Sequence, residues 1–391
     1  MRISYHTLVK HSVCLGLTLG LVACSHSAAI QNHEEMPDYL TRAAEEIGAP
    51  GLSVLAIRDG ETVLQATRGH RKANVDSPLE LSDRFHLGSN TKAMTALLVA
   101  RLVDVGVVRW DETLKELLPS VEMHPNYTSV TVQDLLRHEG GLPGYLARSK
   151  RTLWNALWDA YADDVVATRA MLTRALLMEE PSAGRGTYLY SNSGYVILAS
   201  ALESRTGKRW ESLIEEQIFQ PLGMTGCGFG SPAQSAAGLP REPWGHRKRV
   251  DGSLKPMKPG PIADNPPAIA PAGGVHCDMV SWQRFTEVFL GPIETISIVK
   301  PETMRALLTP SEGGRYSGGW RRVYREWGDG LVLYHAGTNK RFYSVAWLAP
   351  EKGSMVLAAV NLYYDGIEGK VDALVGSLIR RFIQDHYALL N

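Results

Sequence analysis

Apolar positions near the start of the chain predict one helix followed by one β-hairpin. Hydrophobic side chains recur with a helical period over residues 36–47. Gly51–Ile57 and residues 62–64 are apolar runs on either side of Asp59-Gly60, a dipeptide typical of two-residue hairpin turns. We interpret the two runs as the opening strands of a sheet.

The strand pattern returns at the other end of the chain. Three apolar runs predict strands, at Leu331–His335, Phe342–Leu348 and Met355–Asn361, and a final helix is expected from about 371 to 389. Strands at both ends with helices between them suggest one sheet. We therefore predict an α+β fold, an α/β sandwich in which an antiparallel sheet formed by the N- and C-terminal segments is flanked by helices and carries an inserted, mainly helical region.

The middle of the chain has mostly helical patterns. The clearest helices are predicted over 154–178, 193–205 and 210–219, and the Pro-rich stretch 255–271 is typical of an extended loop. Residues 93–103 are apolar or small on almost every face, which predicts a helix buried inside the protein and ending near Gly106.

The first residues have the layout of an export signal. Arg2 and Lys10 precede an apolar stretch, residues 13–22, that is too short to span a bilayer. Leu21-Val22-Ala23-Cys24 resembles the lipobox of bacterial lipoproteins, which implies cleavage before Cys24 and lipidation of its thiol. The alternative is an ordinary secretory signal. Both predict export, and the first adds a membrane anchor at Cys24.

Length and charge limit the remaining possibilities. We expect a signal peptide over 1–23, a tether over 24–33 and one compound domain over 34–391, with its sheet in 34–88 and about 297–391 and its mainly helical region in about 89–296. The chain has 41 basic and 41 acidic residues and no basic tract, so nucleic acid is not an expected partner. The sequence leaves the oligomeric state open.

Four cysteines remain to be placed. Cys14 lies in the signal and Cys24 at the expected lipidation site, which leaves Cys227 and Cys277. Two thiols fifty residues apart make no metal cluster by their spacing, so they are ordinary buried residues or a disulfide. We expect neither a metal ion nor an organic cofactor.

Ser89 and Lys92 carry the first candidate chemistry. They stand three residues apart at the start of the buried helix, so their side chains share one face, and the helix start presents N–H groups that can stabilise an oxyanion. A lysine that acts as a base must be a neutral amine, so its pKa of about 10.4 has to fall by roughly three units. Burial or a neighbouring cation can supply this shift.

A second Ser-x-x-Lys, Ser297–Lys300, provides an internal comparison. It is rich in β-branched residues and is followed at once by Pro301. We therefore do not expect it to begin a buried helix or to be catalytic.

Further motifs follow the first in order. Ser89-Asn90-Thr91-Lys92 is followed by a Tyr-x-Asn motif, Tyr190-Ser191-Asn192, and by a His-x-Gly motif, His335-Ala336-Gly337, at the end of a predicted strand. With the supporting stretches 135–143, 221–224 and 271–274, the chain resembles the serine β-lactamase and penicillin-binding-protein superfamily, in its class C-like branch of β-lactamases, D,D-peptidases and related esterases. The resemblance covers nearly all of the mature chain.

The resemblance implies a role for each motif. Ser89 is the expected nucleophile, Lys92 its base, and Tyr190 the group that passes protons to the leaving group and the deacylating water. Asn192 is expected to hydrogen-bond the substrate. The backbone N–H groups of Ser89 and Thr338 are expected to form the oxyanion hole.

His335 and Gly337 complete the expected substrate-binding residues. Many β-lactamases have Lys-Thr-Gly at this motif, where the cation and the hydroxyl help to hold the substrate carboxylate. A histidine is mostly uncharged at neutral pH and Ala336 has no hydroxyl, so weaker carboxylate anchoring is expected. This departure favours an ester or peptide substrate over a β-lactam.

Three of these residues also have ordinary structural interpretations. Tyr190 is a candidate packing aromatic, Asn192 a candidate N-cap of the helix 193–205, and His335 a candidate surface histidine at a strand end.

The function expected is therefore that of a serine hydrolase of the cell envelope acting through an acyl-enzyme on an ester or a D-amino-acid peptide or amide. The alternatives are a class C-like β-lactamase and a catalytically inactive envelope lipoprotein that binds peptides. The chain contains no Gly-x-Ser-x-Gly, and His138-Glu139 does not continue into His-Glu-x-x-His, so an α/β-hydrolase and that type of metalloprotease are disfavoured.

Overall fold

The computed structural model of this protein describes residues 35–144, 157–158, 164–235, 237–260, 263–292, 295 and 298–384. The predicted signal peptide, Cys24 and the tether lie outside these residues. In the described part of the chain, no helix is both long enough and apolar enough to cross a bilayer.

Thirteen strands are described, in chain order: β1 Gly51–Arg58, β2 Glu61–Gly69, β3 Phe85–His86, β4 Cys227–Phe229, β5 His246–Lys248, β6 Leu254–Pro256, β7 Val275–Cys277, β8 Tyr316–Ser317, β9 Trp320–Arg325, β10 Gly330–Thr338, β11 Tyr343–Ala349, β12 Ser354–Val360 and β13 Leu362–Tyr363.

The described α-helices are α1 Met36–Ile47, α2 Thr91–Asp104, α3 Leu114–Leu117, α4 Val132–Leu136, α5 Val165–Leu177, α6 Asn192–Thr206, α7 Trp210–Ile214, α8 Ala270–Gly273, α9 Met279–Glu287, α10 Pro301–Leu308 and α11 Ile367–Ile379. A single 3₁₀ turn, Gly88–Asn90, leads into α2.

A seven-stranded antiparallel sheet joins the two ends of the chain, in the order β2-β1-β12-β11-β10-β9-β8. Strand β1 pairs with β12, and the Gly51 N–H donates to Asn361 Oδ1 across 310 positions of sequence. The predicted α+β fold with a sheet from both termini is confirmed. The hairpin is also as predicted, because Asp59 and Gly60 have φ values of 52° and 82°, as a type I′ turn requires.

Each face of this sheet is covered by helices. On one face α1 and α11 pack with apolar residues at helical spacing, among them Leu40, Ile47 and Val371. On the other face lies α2, which is buried along most of its length and is followed by Gly106 at φ 74°. The predicted buried helix is thus confirmed, and it places the Ser-x-x-Lys motif against the sheet.

The middle of the chain differs from the prediction in its short strands. Two three-stranded sheets, β13-β5-β6 and β3-β7-β4, lie there and were not predicted, since strands of two or three residues have no measurable period. The second of these sheets carries a disulfide between Cys227 and Cys277, which settles the alternative that the sequence left open.

Several predicted boundaries also shift. The helix expected over 154–178 is present in its second half as α5. Of its first half, residues 154–156 and 159–163 lie outside the described residues. The helix expected over 210–219 becomes a π-helical turn after Ile214. The final helix begins at Ile367, directly after Gly366 at φ 96°, and 385–391 lie outside the described residues.

Candidate active site

The candidate nucleophile lies where two backbone segments touch. Ser89 occupies the 3₁₀ turn before α2, and Gly88 beside it has φ 51°. A Cβ on Gly88 would lie 2.1 Å from the backbone nitrogen of Thr338, and a Cβ on Gly337 would lie 2.6 Å from that of Ser89. Only glycine fits at both positions. This close approach brings the predicted oxyanion-hole segments, Ser89 and Thr338, side by side.

Thr338 contributes to this contact through its backbone. Its hydroxyl donates to the Phe342 carbonyl at 2.6 Å and accepts from the Lys340 N–H at 2.8 Å, so the side chain is engaged in the turn after β10. The N–H is therefore the group of Thr338 that faces the nucleophile turn.

Lys92 is fully buried beside Ser89. Its Nζ lies 3.0 Å from Ser89 Oγ, 2.6 Å from Asn192 Oδ1 and 2.6 Å from the carbonyl oxygen of Ala272. No carboxylate among the described residues forms an ion pair with it. Burial lowers the pKa of Lys92 well below its ordinary value, because the charged form loses its hydration.

The three partners of Nζ are all oxygen atoms that accept from it. A neutral amine has two hydrogens to donate and one lone pair to accept with. When burial removes the third proton, the Ala272 carbonyl and Asn192 Oδ1 can take the two hydrogens, and the lone pair is then available to the hydroxyl hydrogen of Ser89. The sequence predicted a lowered lysine pKa from the apolar helix, and the structure supplies the burial that lowers it.

Tyr190 reaches the same place from a distant segment. Its ring centroid lies 4.9 Å from Lys92 Nζ and 4.3 Å from the ring of His138. The next residue, Ser191, holds this segment in place: its backbone N–H donates to His138 Nδ1, and its hydroxyl accepts from the Ser193 N–H. The structure therefore brings together the serine, the lysine and the tyrosine that the motifs predicted.

Asn192 is the first residue of α6 and accepts a hydrogen bond from Lys92. The alternative that Asn192 is the N-cap is wrong, since Ser191 caps the helix. Asn192 thus contacts the base directly, in a position where the sequence predicted contact with substrate.

His335 is buried on β10, which excludes the surface interpretation. Its Nδ1 donates to the Ala336 carbonyl at 2.8 Å, so Nε2 accepts from the Tyr316 hydroxyl at 3.1 Å. Burial lowers the pKa of His335 to about 3, because the charged imidazole loses its hydration. His335 is therefore neutral at physiological pH, with both nitrogens engaged.

His138 and Tyr316 are site residues that the sequence did not single out. The ring of His138 lies 4.5 Å from that of Tyr316 and 5.4 Å from that of Tyr195, so the rings form a wall beside Lys92 together with Tyr190. Burial lowers the pKa of His138 well below its ordinary value. The available signal was the stretch 135–143, which matches the superfamily but has no catalytic motif.

Known proteins resemble this chain in sequence. The Beta-lactamase family matches residues 36–377. Penicillin-binding protein 4* of Bacillus subtilis is 30% identical over 178 residues, which are 44% of this chain and 36% of that protein. A putative D-alanyl-D-alanine carboxypeptidase of Escherichia coli K12 is 26% identical over 244 residues, 55% of each. The chain thus spans about a third to a half of the length of these curated relatives.

Solved structures share the fold. A penicillin-binding protein from Bacillus halodurans has a TM-score of 0.68 at 20% identity and covers 86% of this chain and 98% of its own. A D-amino acid amidase from Ochrobactrum anthropi SV3 has a TM-score of 0.66 at 19% identity and covers 88% and 97%. At these identities the likeness shows a common fold. The match to the Beta-lactamase family, by contrast, extends over most of the length of this chain, so the chain belongs to the beta-lactamase family.

Proposed function

We propose that this protein is a serine hydrolase that forms an acyl-enzyme on Ser89 and acts on an ester or on a D-amino-acid peptide or amide. The observation that carries the proposal is the buried amine of Lys92, 3.0 Å from Ser89 Oγ, with its two other hydrogen-bond partners both acceptors. A buried neutral lysine aimed at a hydroxyl is a base in position to activate a nucleophile.

Acylation begins as Ser89 Oγ attacks the carbonyl carbon of the substrate and its proton passes to Lys92 Nζ. The N–H groups of Ser89 and Thr338 stabilise the oxyanion, a contribution of about 3 kcal/mol for each donor. Tyr190, beside Nζ, helps to deliver the proton to the leaving amine or alcohol. The C–N or C–O bond then breaks and leaves an ester on Ser89.

Deacylation reverses these proton transfers. A water molecule attacks the ester carbon while Lys92 and Tyr190 accept its proton. The bond to Ser89 Oγ breaks, the serine regains a proton, and a carboxylic acid leaves. Every group needed for both half-reactions is supplied by the chain.

The third motif favours the proposed substrates over a β-lactam. His335 is neutral, and both of its nitrogens are engaged by Tyr316 and the Ala336 carbonyl. The Ala336 side chain packs in the cluster on the other face of the sheet. The motif therefore offers neither a cation nor a hydroxyl to a substrate carboxylate. Independently of the carboxylate argument, the names of the matched D-amino acid amidase and putative D-alanyl-D-alanine carboxypeptidase point to amide and peptide substrates.

The test is the Ser89→Ala variant, compared with Ser82→Ala at an exposed serine as the matched control. We expect Ser89→Ala to remove turnover of a nitrophenyl ester and labelling by a fluorophosphonate probe, with an unchanged circular dichroism spectrum. Full activity of this variant contradicts the proposal. A wild-type chain that is folded but unlabelled at Ser89 supports the peptide-binding alternative instead.

The substrate class is tested with the same preparation. We expect hydrolysis of a short nitrophenyl ester or a D-Ala-D-Ala peptide to exceed that of a chromogenic cephalosporin in kcat/KM. Faster hydrolysis of the cephalosporin supports the class C-like β-lactamase alternative.

We also propose that the protein is exported and anchored to a bacterial envelope membrane through a lipid on Cys24, facing the periplasm. The signal and lipobox pattern of residues 1–24 supports this, and so does the Cys227–Cys277 disulfide, because disulfides are rare in the cytosol. A Cys24→Ser variant that stays in the membrane fraction contradicts the anchor.

A further inference from the structure

A buried carboxylate that takes no part in the proton transfers lies behind the nucleophile turn. Asp264 Oδ1 lies 3.0 Å from His86 Nε2, 3.1 Å from Asn339 Nδ2 and 2.7 Å from the Asn265 N–H. Burial by itself opposes ionisation, but the interactions with His86 and Asn339 hold the pKa of Asp264 below its ordinary value. Asp264 is therefore an ionised group that accepts two hydrogen bonds and is in contact with the His86 imidazole.

On one side, this carboxylate connects to the segment that carries Ser89. The Gly88 N–H donates to His86 Nδ1 at 3.1 Å, so Nδ1 has no proton, and Nε2 is in close contact with Asp264, 3.0 Å from Oδ1. The Phe342 ring stacks on the imidazole with centroids 6.2 Å apart. The orientation of His86 is thus set from two sides, and His86 in turn fixes Gly88, whose positive φ is needed for the approach to Thr338.

On the other side, the same carboxylate connects to the segment that carries Thr338. Asn339 follows Thr338 directly, and its Oδ1 accepts from the N–H groups of Arg341 and Phe342 at 3.0 Å each. Its Nδ2 donates to Asp264. One side chain therefore joins the turn after β10 to the carboxylate.

We propose that Asp264 is a positioning residue that sets the separation between the N–H groups of Ser89 and Thr338, through His86 on one side and Asn339 on the other. This inference rests on the proposed function. The two N–H groups belong to segments about 250 positions apart in sequence, and they must converge on one oxygen atom within a few tenths of an ångström. A buried acceptor shared by both segments fixes that distance.

Two substitutions separate geometry from charge. The two hydrogen bonds and the His86 contact all go to Oδ1, and Oδ2 has no hydrogen-bond partner among the described residues, so Asp264→Asn can keep all three contacts through its amide oxygen. Asp264→Ala loses them. We expect Asp264→Ala to lower kcat for a nitrophenyl ester by about 10- to 100-fold, with KM changed by less than about 2-fold, and Asp264→Asn to restore most of the loss.

The affinity of a boronic acid inhibitor distinguishes a positioning role from a purely structural one, because a loss of stability alone would not change it. Its adduct with Ser89 places a negatively charged oxygen in the oxyanion hole, so we expect its affinity for Asp264→Ala to fall by the same factor as kcat/KM. The matched control is Glu112→Ala. Glu112 is also a buried carboxylate and accepts from Arg205 and the Arg109 N–H, but it lies near the far end of α2, about 20 Å from Ser89. Glu112→Ala should lower the melting temperature and leave boronate affinity unchanged.

The outcomes are distinct. Unchanged kcat and boronate affinity in folded Asp264→Ala overturn the inference, and so does an equal loss of both in Glu112→Ala. If Asp264→Ala does not fold, Asn339→Ala decides, because it removes one arm and keeps the Asp264–His86 pair; an unchanged boronate affinity there overturns the inference. A wild-type protein that is not labelled at Ser89 by a fluorophosphonate refutes the proposed function itself.

Discussion

The two faces of the seven-stranded sheet bury different kinds of side chains. The face under α1 and α11 buries hydrophobic groups such as Leu40, Val371 and Leu378. The face toward α2 buries, beside a larger hydrophobic core, the ionisable side chains of Lys92 and His335. The first face also buries ionisable groups, such as Tyr343, but none of them belongs to the candidate site. On the second face burial lowers the pKa values of Lys92 and His335, at a cost in stability, and the proposed role of Lys92 as a base depends on this.

The largest effect is expected from Lys92→Met, which removes the buried amine from the face toward α2. We expect kcat to fall by at least 100-fold, since a positioned proton acceptor is lost. The free energy of unfolding should also change its dependence on pH. The pKa of Lys92 is lowered in the folded protein, so the unfolded chain binds an extra proton between that pKa and about 10.5, which favours unfolding at neutral pH.

The free energy of unfolding of Lys92→Met, relative to wild type, should therefore shrink by about 1.4 kcal/mol per pH unit as the pH rises through this window. Urea unfolding at pH 7, 8 and 9 measures the slope. A difference that does not depend on pH would show that Lys92 is protonated in the folded protein, contrary to the proposed mechanism.

The second prediction concerns acid. The pKa of His335 is about 3 in the folded protein and about 6.5 in the unfolded chain, so between these pH values the unfolded chain binds a proton that the folded protein does not. The contribution of His335 to the free energy of unfolding is therefore fully present above pH 6.5 and is lost as the pH falls toward 3. At pH 5 the loss is about 2 kcal/mol for this residue. His335→Gln should remove that part of the acid sensitivity, measured by urea unfolding at pH 7 and pH 5.

The control is His70→Gln, at an exposed histidine outside the sheet faces. It should leave the acid sensitivity that His335 causes in place. Equal behaviour of the two variants would mean that burial of the imidazole does not control its titration.

The smallest effect is expected on the apolar face. Ile367→Val at the start of α11 removes one buried methyl group and should lower the free energy of unfolding by about 1 kcal/mol. Because this face carries no site residue, kcat should stay unchanged. A marked fall in kcat, seen in a steady-state assay of the folded variant, would show that the two faces are not independent.

The two faces also differ in how far sequence alone predicted them. The helix α1 and the β1–β2 hairpin were predictable because each has a regular period and a local turn signal. Ser89 and Lys92 were predictable because their spacing places them on one helical face. Tyr190 and His335 required a resemblance to known proteins, since no local pattern connects them to Lys92.

The remaining site residues could not be predicted. His138, Tyr316 and Asp264 belong to no catalytic motif in the sequence. Their roles depend on contacts between segments far apart in sequence, such as the hydrogen bond from Tyr316 to His335 and the contact between His86 and Asp264. The short strands β3 to β7, which help to hold these segments, are also too brief to leave a period in the sequence.

The pairing of β1 with β12 has a consequence for biogenesis. A nascent chain emerging from the ribosome already contains Ser89 and Lys92 while β10 to β12 are still unmade, so β1 lacks its inner neighbour and Thr338 is absent. Pairing between segments so far apart in sequence makes folding slow, and the approach of Thr338 to Ser89 cannot form until β10 has been synthesised. The proposed oxyanion hole is therefore assembled late.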